Sequence, residues 1–510
     1  MSFVKSPKPA ELDGKPGRPV PDRLTSSQYL VVAIAATHQA WATLGANYWQ
    51  TAHPERLVLV AIVTAAVACG VAWSLVRLGV KPSMALFVVV LGTVVFVRGG
   101  PLWVIRGSAF TWAVIAALSA LVLLLGRRLP ESAVWIACVI LVVALASGSL
   151  IGAFNTYRSM GQSQVLEDSE IAADLTTRPD IFLVVLDAYA GRQALATQFG
   201  ETKGELISHL ESKGFQVPEA AWSSQASTDL SLPTIIDMGY PVDTSLINDA
   251  TRRDLYSIIG GENNTVSILE ANGYATTMIE SGWVGSDCGD AFDVCIPSHW
   301  LDEVMFDVTW NSLVNPLVME TFGHAFTANA VATMDSVVRM IEDEVEEPRF
   351  VFAHVLAPHP PFFFDESCRL TVDESRIRWS ISPGQVDPVR DALFLQQTTC
   401  VDSFLTRLAD AADGDDVVIV VGDHGTRRHD PPAPGEKPDQ EALVELMNVF
   451  VAVRTGANCE ISDPLLTSDL VRQVLNCFSE EELDPVPQRM LVRGGYEMSP
   501  NEITELIQNG

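Results

Sequence analysis

Apolar residues crowd the first third of the chain in five stretches, at Tyr29–Tyr48, Leu57–Leu78, Ser83–Val97, Ala109–Leu125 and Ala133–Phe154. Most approach the ~20 residues that a helix needs to cross a hydrocarbon layer of ~30 Å. Few ionisable residues interrupt them, and a charge inside such a segment is costly in lipid, so residues 28–155 are expected to form a bundle of about five transmembrane helices. Cations fall in the leader, in the loop after the second stretch (Arg77, Lys81) and in the loop after the fourth (Arg127, Arg128). Positively charged loops stay in the cytoplasm, which puts the amino terminus inside and everything beyond Phe154 outside, with Arg98 and Arg106 running against the trend. Residues 1–27 are polar and carry Pro and Lys without an apolar centre, the composition of a disordered cytoplasmic leader rather than a cleaved signal.

After Phe154 the pattern changes. A polar and then acidic stretch, 156–177, reads as a linker (Glu167, Asp168, Glu170, Asp174). Beyond it, short apolar runs at Ile181–Leu186, Thr276–Ile279, Phe350–Val355, Val417–Val421 and Val449–Val453 alternate with helical stretches at Leu206–Lys213, Ala328–Glu342 and Val389–Ala411. Strand and helix in alternation predict an α/β domain over 178–480, a mostly parallel sheet with helices on both faces. An acidic C-terminal tail follows at 481–510, with a short helix at Asn501–Ile507 begun by Ser499-Pro500.

Composition agrees with this division. Over 510 residues the chain is 48% hydrophobic yet carries a net charge of −30. Both hold because the lipid-like residues lie before about 155 and most acids after it. So acidic a surface excludes a nucleic-acid groove, which needs cations for the phosphates. Cys69 and Cys138 fall inside spans, whereas Cys288, Cys295, Cys368, Cys400, Cys459 and Cys477 fall in the outer domain, where an oxidising compartment allows pairing. Short separations favour Cys288–Cys295 and Cys459–Cys477, which leaves Cys368–Cys400. No Cys-x-x-Cys pair is present to favour thiolate metal binding instead.

Candidate chemistry gathers where strands end. The run Val417–Val421 leads into Gly422-Asp423-His424-Gly425, an acid and an imidazole at the carboxyl end of a buried strand, where ligands of α/β sheets bind. Together they offer a metal ion one hard oxygen and one borderline nitrogen. Asp187 ends the first strand of the domain in the same way, although a helix N-cap would also favour Asp there. Ser227-Thr228 opens a predicted helix, where free amides favour an anion, and a cap is again the plain reading. His354 lies near the end of the strand at Phe350–Val355 and His359 follows it. His359 lies among prolines, in Pro358-His359-Pro360-Pro361, and is the better functional candidate of the two.

The order of these motifs resembles the alkaline phosphatase superfamily: Asp187 after the first strand, a hydroxyl at Thr228, a Pro-His-Pro segment at His359 and a late Asp423-His424-Gly425. With spans ahead of an outer domain, the chain is similar to the membrane-anchored sulfatase-like branch that includes lipoteichoic acid synthases and lipid A phosphoethanolamine transferases. Leu186-Asp187-Ala188-Tyr189-Ala190, Thr228-Asp229-Leu230-Ser231-Leu232 and Pro358-His359-Pro360-Pro361-Phe362 carry the likeness. The resemblance implies that Asp187, Thr228, Asp423 and His424 hold one divalent cation (Mn, Zn or Mg). It also implies that Thr228 is the nucleophile and that His359 contacts the phosphoryl group. His354 and His429 remain as substrate-binding helpers, and with Asp365 they would supply a second metal site if two ions are used.

Departures from the family matter as well. Asp187 stands where lipoteichoic acid synthases have Glu, and Cys295-Ile296-Pro297-Ser298-His299 approaches the sulfatase nucleophile motif without its Arg and far downstream of its place. The chain is therefore expected to be a multi-pass protein of the cell membrane whose outer domain cleaves or transfers a phosphoester of a lipid or lipid-linked substrate. A non-catalytic envelope protein binding a lipid headgroup or a partner is the alternative, and a sulfatase the third reading.

Overall fold

The computed structural model describes residues 23–47, 54–98, 130–159, 161–166, 171–244, 247–298, 315–371, 386–429, 435–456, 459–492 and 496–509. Helices α1 (Ser26–Asn47), α2 (Pro54–Arg77), α3 (Pro82–Arg98) and α4 (Glu131–Ser159) overlap four of the five apolar stretches; Ala109–Leu125 and most of the leader lie outside the described residues. The four pack through small and branched residues, among them Ala35 and Ala36 of α1, Ala68 and Ala72 of α2, Val89 of α3 and Cys138 of α4. Among the described residues, two helices are long and apolar enough to cross a membrane, Glu55–Arg77 and Glu131–Asn155, and α3 has a shorter apolar stretch, Pro82–Thr93. A bundle of five spans is thus not what the described residues contain. The outer faces of α2 and α4 expose Leu59, Ile62, Val67, Ile140, Val143 and Leu150, far more apolar surface than a helix bathed in water carries.

The α/β domain is built on a six-stranded sheet. In chain order its strands are β1 (Ile181–Leu186), β3 (Ala275–Ile279), β4 (Val294–Ile296), β5 (Arg349–Val355), β6 (Val417–Gly422) and β7 (Val451–Arg454). They lie in the order β4-β3-β5-β1-β6-β7, all parallel except β7, which runs antiparallel to β6. A parallel pair, β2 (Ala221–Trp222) with β8 (Leu465–Leu466), and a hairpin, β9 (Met490–Val492) with β10 (Tyr496–Met498), lie beside it. The apolar runs are uninterrupted because both sheet faces are covered. Phe182, Val184, Val418 and Val420 enter one core, while Leu183, Val185, Ile419 and Val421 enter the other. Strand β4, short and half-exposed, had no apolar run to announce it.

Two boundaries differ from expectation. The stretch read as a linker is bonded to the domain: Leu166 N donates to Pro241 O at 2.8 Å, Leu175 N to Asn272 Oδ1 at 2.9 Å and Thr176 N to Phe478 O at 2.6 Å. The stretch read as an acidic tail folds back, with Met490, Val492, Met498, Ile503 and Leu506 in the main core. In both, the few apolar residues scattered among the acids carry the packing. Disulfides join Cys288–Cys295 and Cys459–Cys477, the pairs that short separation favoured, and Cys368–Cys400, the pair left over.

Candidate metal and nucleophile site

Strands β1, β5 and β6 are neighbours in register, so their carboxyl ends bring together residues far apart in sequence. Val185 pairs with His354 and Val421, and Leu186 with Val355 and Gly422. Asp187 and Asp423 each stand one residue past a strand, and both are buried. Ala188, next in line, has φ 62°, a left-handed conformation that costs an L-residue roughly 1–2 kcal/mol. The turn so made lets Ala188 N donate to Asp423 Oδ1 at 2.9 Å, where His424 N also donates at 2.8 Å. Asp423 Oδ2 has no hydrogen-bond partner among the described residues.

Thr228 is the first residue of α5 (Thr228–Ile236). Its Oγ1 lies 3.1 Å from His424 Nε2. His424 Nδ1 donates to Gly425 O at 2.7 Å, since a carbonyl can only accept, and this leaves the Nε2 lone pair facing the threonine. The same Nε2 is 3.6 Å from Asp187 Oδ1 and 3.6 Å from Asp423 Oδ2. The four residues expected to share an ion therefore converge.

The histidines separate into three roles. His359, half-buried, sits with its ring centroid 6.2 Å from that of His424; its Nδ1 donates to Pro360 O at 2.6 Å, which again frees Nε2. His354, fully buried, lies 3.8 Å through Nε2 from Asp187 Oδ2, and its ring meets the Trp283 ring edge-on at 5.7 Å. His429 is elsewhere engaged, its Nδ1 bonded to the buried Glu445 and its backbone N donating to Glu445 Oε1 at 2.8 Å. Asp365 is held by Arg369 at 3.1 Å and accepts from Ser367 N at 2.9 Å. Two of the three residues that would have supplied a second ion are thus committed to other partners.

Donor atoms of Asp187, His354 and Asp423 all lie within 4.8 Å of one another. Hard carboxylate oxygens beside neutral imidazoles form a set that suits a divalent cation, and the unpartnered Asp423 Oδ2 fits the same conclusion. Burial pushes the His354 imidazole down to about 4, against the pull of Asp423. Burial, with Arg427 and His424 adding, pushes His359 down to about 3, and burial with Arg427 drives His424 well below its ordinary value. All three are neutral at pH 7 and keep a lone pair.

This gives a pH dependence for the metal-free chain. With native values below the ordinary 6.5, the unfolded chain takes up protons first as pH falls. Stability is full above about 6.5 and declines toward pH 4, by about 1.4 kcal/mol per pH unit from His354 alone. Denaturant melts of the full-length chain in EDTA check this: His354→Gln should flatten the slope, and an unchanged slope would contradict it.

Some functional residues escaped the sequence reading. Arg427, φ 50°, has a buried Nε without a hydrogen-bond partner among the described residues and bears electrostatically on His359 and His424. Its backbone is fixed by the buried Arg390, which donates to Arg427 O at 3.1 Å and Thr426 O at 3.4 Å. Two successive arginines in so acidic a chain were the available signal. Cys295 is closed in a disulfide, so the near-match to a sulfatase cysteine is no nucleophile.

Solved structures similar to the chain include the C-terminal periplasmic domain of EcEptC from Escherichia coli, at 10% identity, covering 67% of this chain and 96% of that one, TM-score 0.40. A protein in the alkaline phosphatase superfamily from Vibrio parahaemolyticus is similar at 10% identity, covering 68% and 82%, TM-score 0.41. Phosphonate monoester hydrolase of Agrobacterium radiobacter is similar at 12% identity, covering 65% and 83%, TM-score 0.37. Curated proteins contain no match to the chain. The family described as Sulfatase matches residues 179–478, the whole of the sheet and every site residue named above. With more than half of its length so matched, the chain belongs to the sulfatase family.

Proposed function

We propose that the chain is a membrane-bound, metal-dependent phosphotransferase or phosphodiesterase that uses Thr228 as nucleophile on a lipid-linked phosphoester outside the membrane. The observation that carries the reading is the 3.1 Å approach of Thr228 Oγ1 to His424 Nε2 at a helix start, beside two buried carboxylates. Asp187, Thr228, Asp423 and His424 would hold one divalent ion, which when bound lowers the pKa of a coordinated hydroxyl and neutralises phosphoryl charge.

The chain's own residues do the rest. The first turn of α5 presents Thr228 with its backbone amides, a setting that favours an anion. Oγ1 forms a bond to phosphorus as the bond from phosphorus to the departing alcohol breaks. The proton that Thr228 sheds equals the one the departing alkoxide takes up, and His359, with its Nε2 lone pair, is the group we assign to carry it. An acceptor hydroxyl or water then cleaves the phosphothreonine by the reverse path. The exposed apolar faces of α2 and α4 support anchoring in a membrane, where a lipid-borne substrate is at hand.

Sulfate chemistry is disfavoured, since Thr228 stands at the helix start and Cys295 is tied to Cys288. The test is to assay the full-length chain in detergent with bis(4-nitrophenyl) phosphate and 4-nitrophenyl sulfate side by side. Phosphodiester cleavage lost in EDTA and restored by Mn or Zn is expected. Faster cleavage of the sulfate, or activity indifferent to EDTA, would overturn the reading.

A further inference from the structure

His354 presents an unsettled balance. It occupies the next-to-last position of β5, a wholly buried strand that is otherwise apolar after Arg349, and is itself 0% exposed. Neither Nδ1 nor Nε2 has a hydrogen-bond partner among the described residues. Buried polar groups are nearly always paired, and leaving one unpaired costs about 1–3 kcal/mol. A leucine would fill the same volume without that cost. What lies near the ring is the Trp283 edge on one side and Asp187 Oδ2, 3.8 Å from Nε2, on the other. Its register partner Val185 sits two residues before Asp187, so backbone pairing of β1 with β5 fixes the ring beside that carboxylate.

We propose that His354 is a ligand of the divalent ion, a second imidazole beside His424. The inference rests on the metal reading above and extends it beyond the four residues that the motifs indicate. The geometry behind it is the cluster in which donor atoms of Asp187, His354 and Asp423 lie within 4.8 Å of one another, a span that one ion bridges. Its consequence is selectivity. Two imidazoles suit Zn- or Co-like ions, whereas Mg prefers an all-oxygen shell and holds its water tightly. Loss of His354 should therefore weaken the transition ion and leave Mg, already weak, almost unchanged.

The test uses the full-length chain in detergent, stripped with EDTA and titrated with Co(II) under visible absorption and calorimetry. Wild type is expected to bind one Co(II) per chain. In His354→Gln the affinity should fall about 100-fold or more, because loss of a mere supporting residue already costs 10–100-fold, and the absorption band should change as a nitrogen donor is lost. Unchanged affinity and spectrum in the variant, with Co(II) bound by wild type, would overturn this inference alone. Failure of wild type to bind Co(II) or Zn(II) would overturn the metal reading and this inference together.

Thermal melts guard against a misfolded variant. In EDTA, His354→Leu should melt at or above the wild-type temperature, since an unpaired imidazole is removed, yet it should lose the stabilisation that Zn(II) gives wild type. A lower melt in EDTA would mean that the ring serves the fold, and would overturn the proposal.

Discussion

Replacing Thr228 by Ala is expected to lower phosphodiester turnover by about 10⁴-fold or more, the usual scale for loss of a covalent nucleophile. The methyl group keeps the helix start, and among the described residues the Thr228 hydroxyl bonds to His424 alone, so folding should survive. Metal content should survive too, through Asp187, Asp423 and His424. Thr228→Ser, which keeps the oxygen, should retain measurable activity. Intact-mass measurement during turnover should find one phosphoryl group on wild type and none on Thr228→Ala. Wild-type turnover in the alanine variant would place the nucleophile elsewhere, and the mechanism would be wrong while the metal site stood.

Substituting Gly425 by Ala should do comparable damage by another route. A Cβ there would lie 1.6 Å from Glu445 O, 2.7 Å from Glu445 C and 3.0 Å from Leu446 C. These are backbone atoms that cannot swing aside, because Gly425 N donates to Leu446 O at 2.9 Å and Thr426 N to Glu445 O at 3.2 Å. The clash exceeds ordinary overpacking, and a loss above about 4 kcal/mol is expected. Asp423 and His424 are carried by the same turn, so whatever folded protein remains should turn over poorly. Gly204→Ala is the control: its nearest neighbour would be Thr202 Oγ1 at 3.9 Å, and a change within about 0.5 kcal/mol is expected. A wild-type melt for Gly425→Ala would show that the turn and the Glu445 segment do not meet.

Much of this was readable in the chain because the physics is local. A run such as Val417–Val421 can be satisfied only between two covered faces, so it announces a central strand, and the residue after it inherits the ligand edge of the sheet. Asp187 and Asp423 followed from that rule, whereas Thr228 stood out as a helix start and took its expected role from the family resemblance. His354 could be named but not placed, because its weight comes from what fails to surround it, and absent hydrogen bonds leave no trace in sequence. The need for Gly at 425 was hidden for a related reason. The obstacle is the backbone of Glu445, twenty residues on, brought back by the helix Gln440–Met447. The linker and tail were misjudged because acidic composition masks a few apolar anchors, Leu175 and Leu506 among them.

The bonded segment after α4 has a bearing on reach. Gln164 is held by Thr251, Leu166 by Pro241 and Leu175 by Asn272, so the chain is bonded to the domain within a few residues of α4. For an enzyme anchored as proposed, a short leash fixes the height of the active site above the lipid and makes headgroup encounter intramolecular, at a local concentration far above that of a freely diffusing domain. A stretch of Gly and Ser inserted at Gly161 would lengthen the leash without touching the chemistry, and substrates embedded in vesicles would feel it while soluble diesters would not.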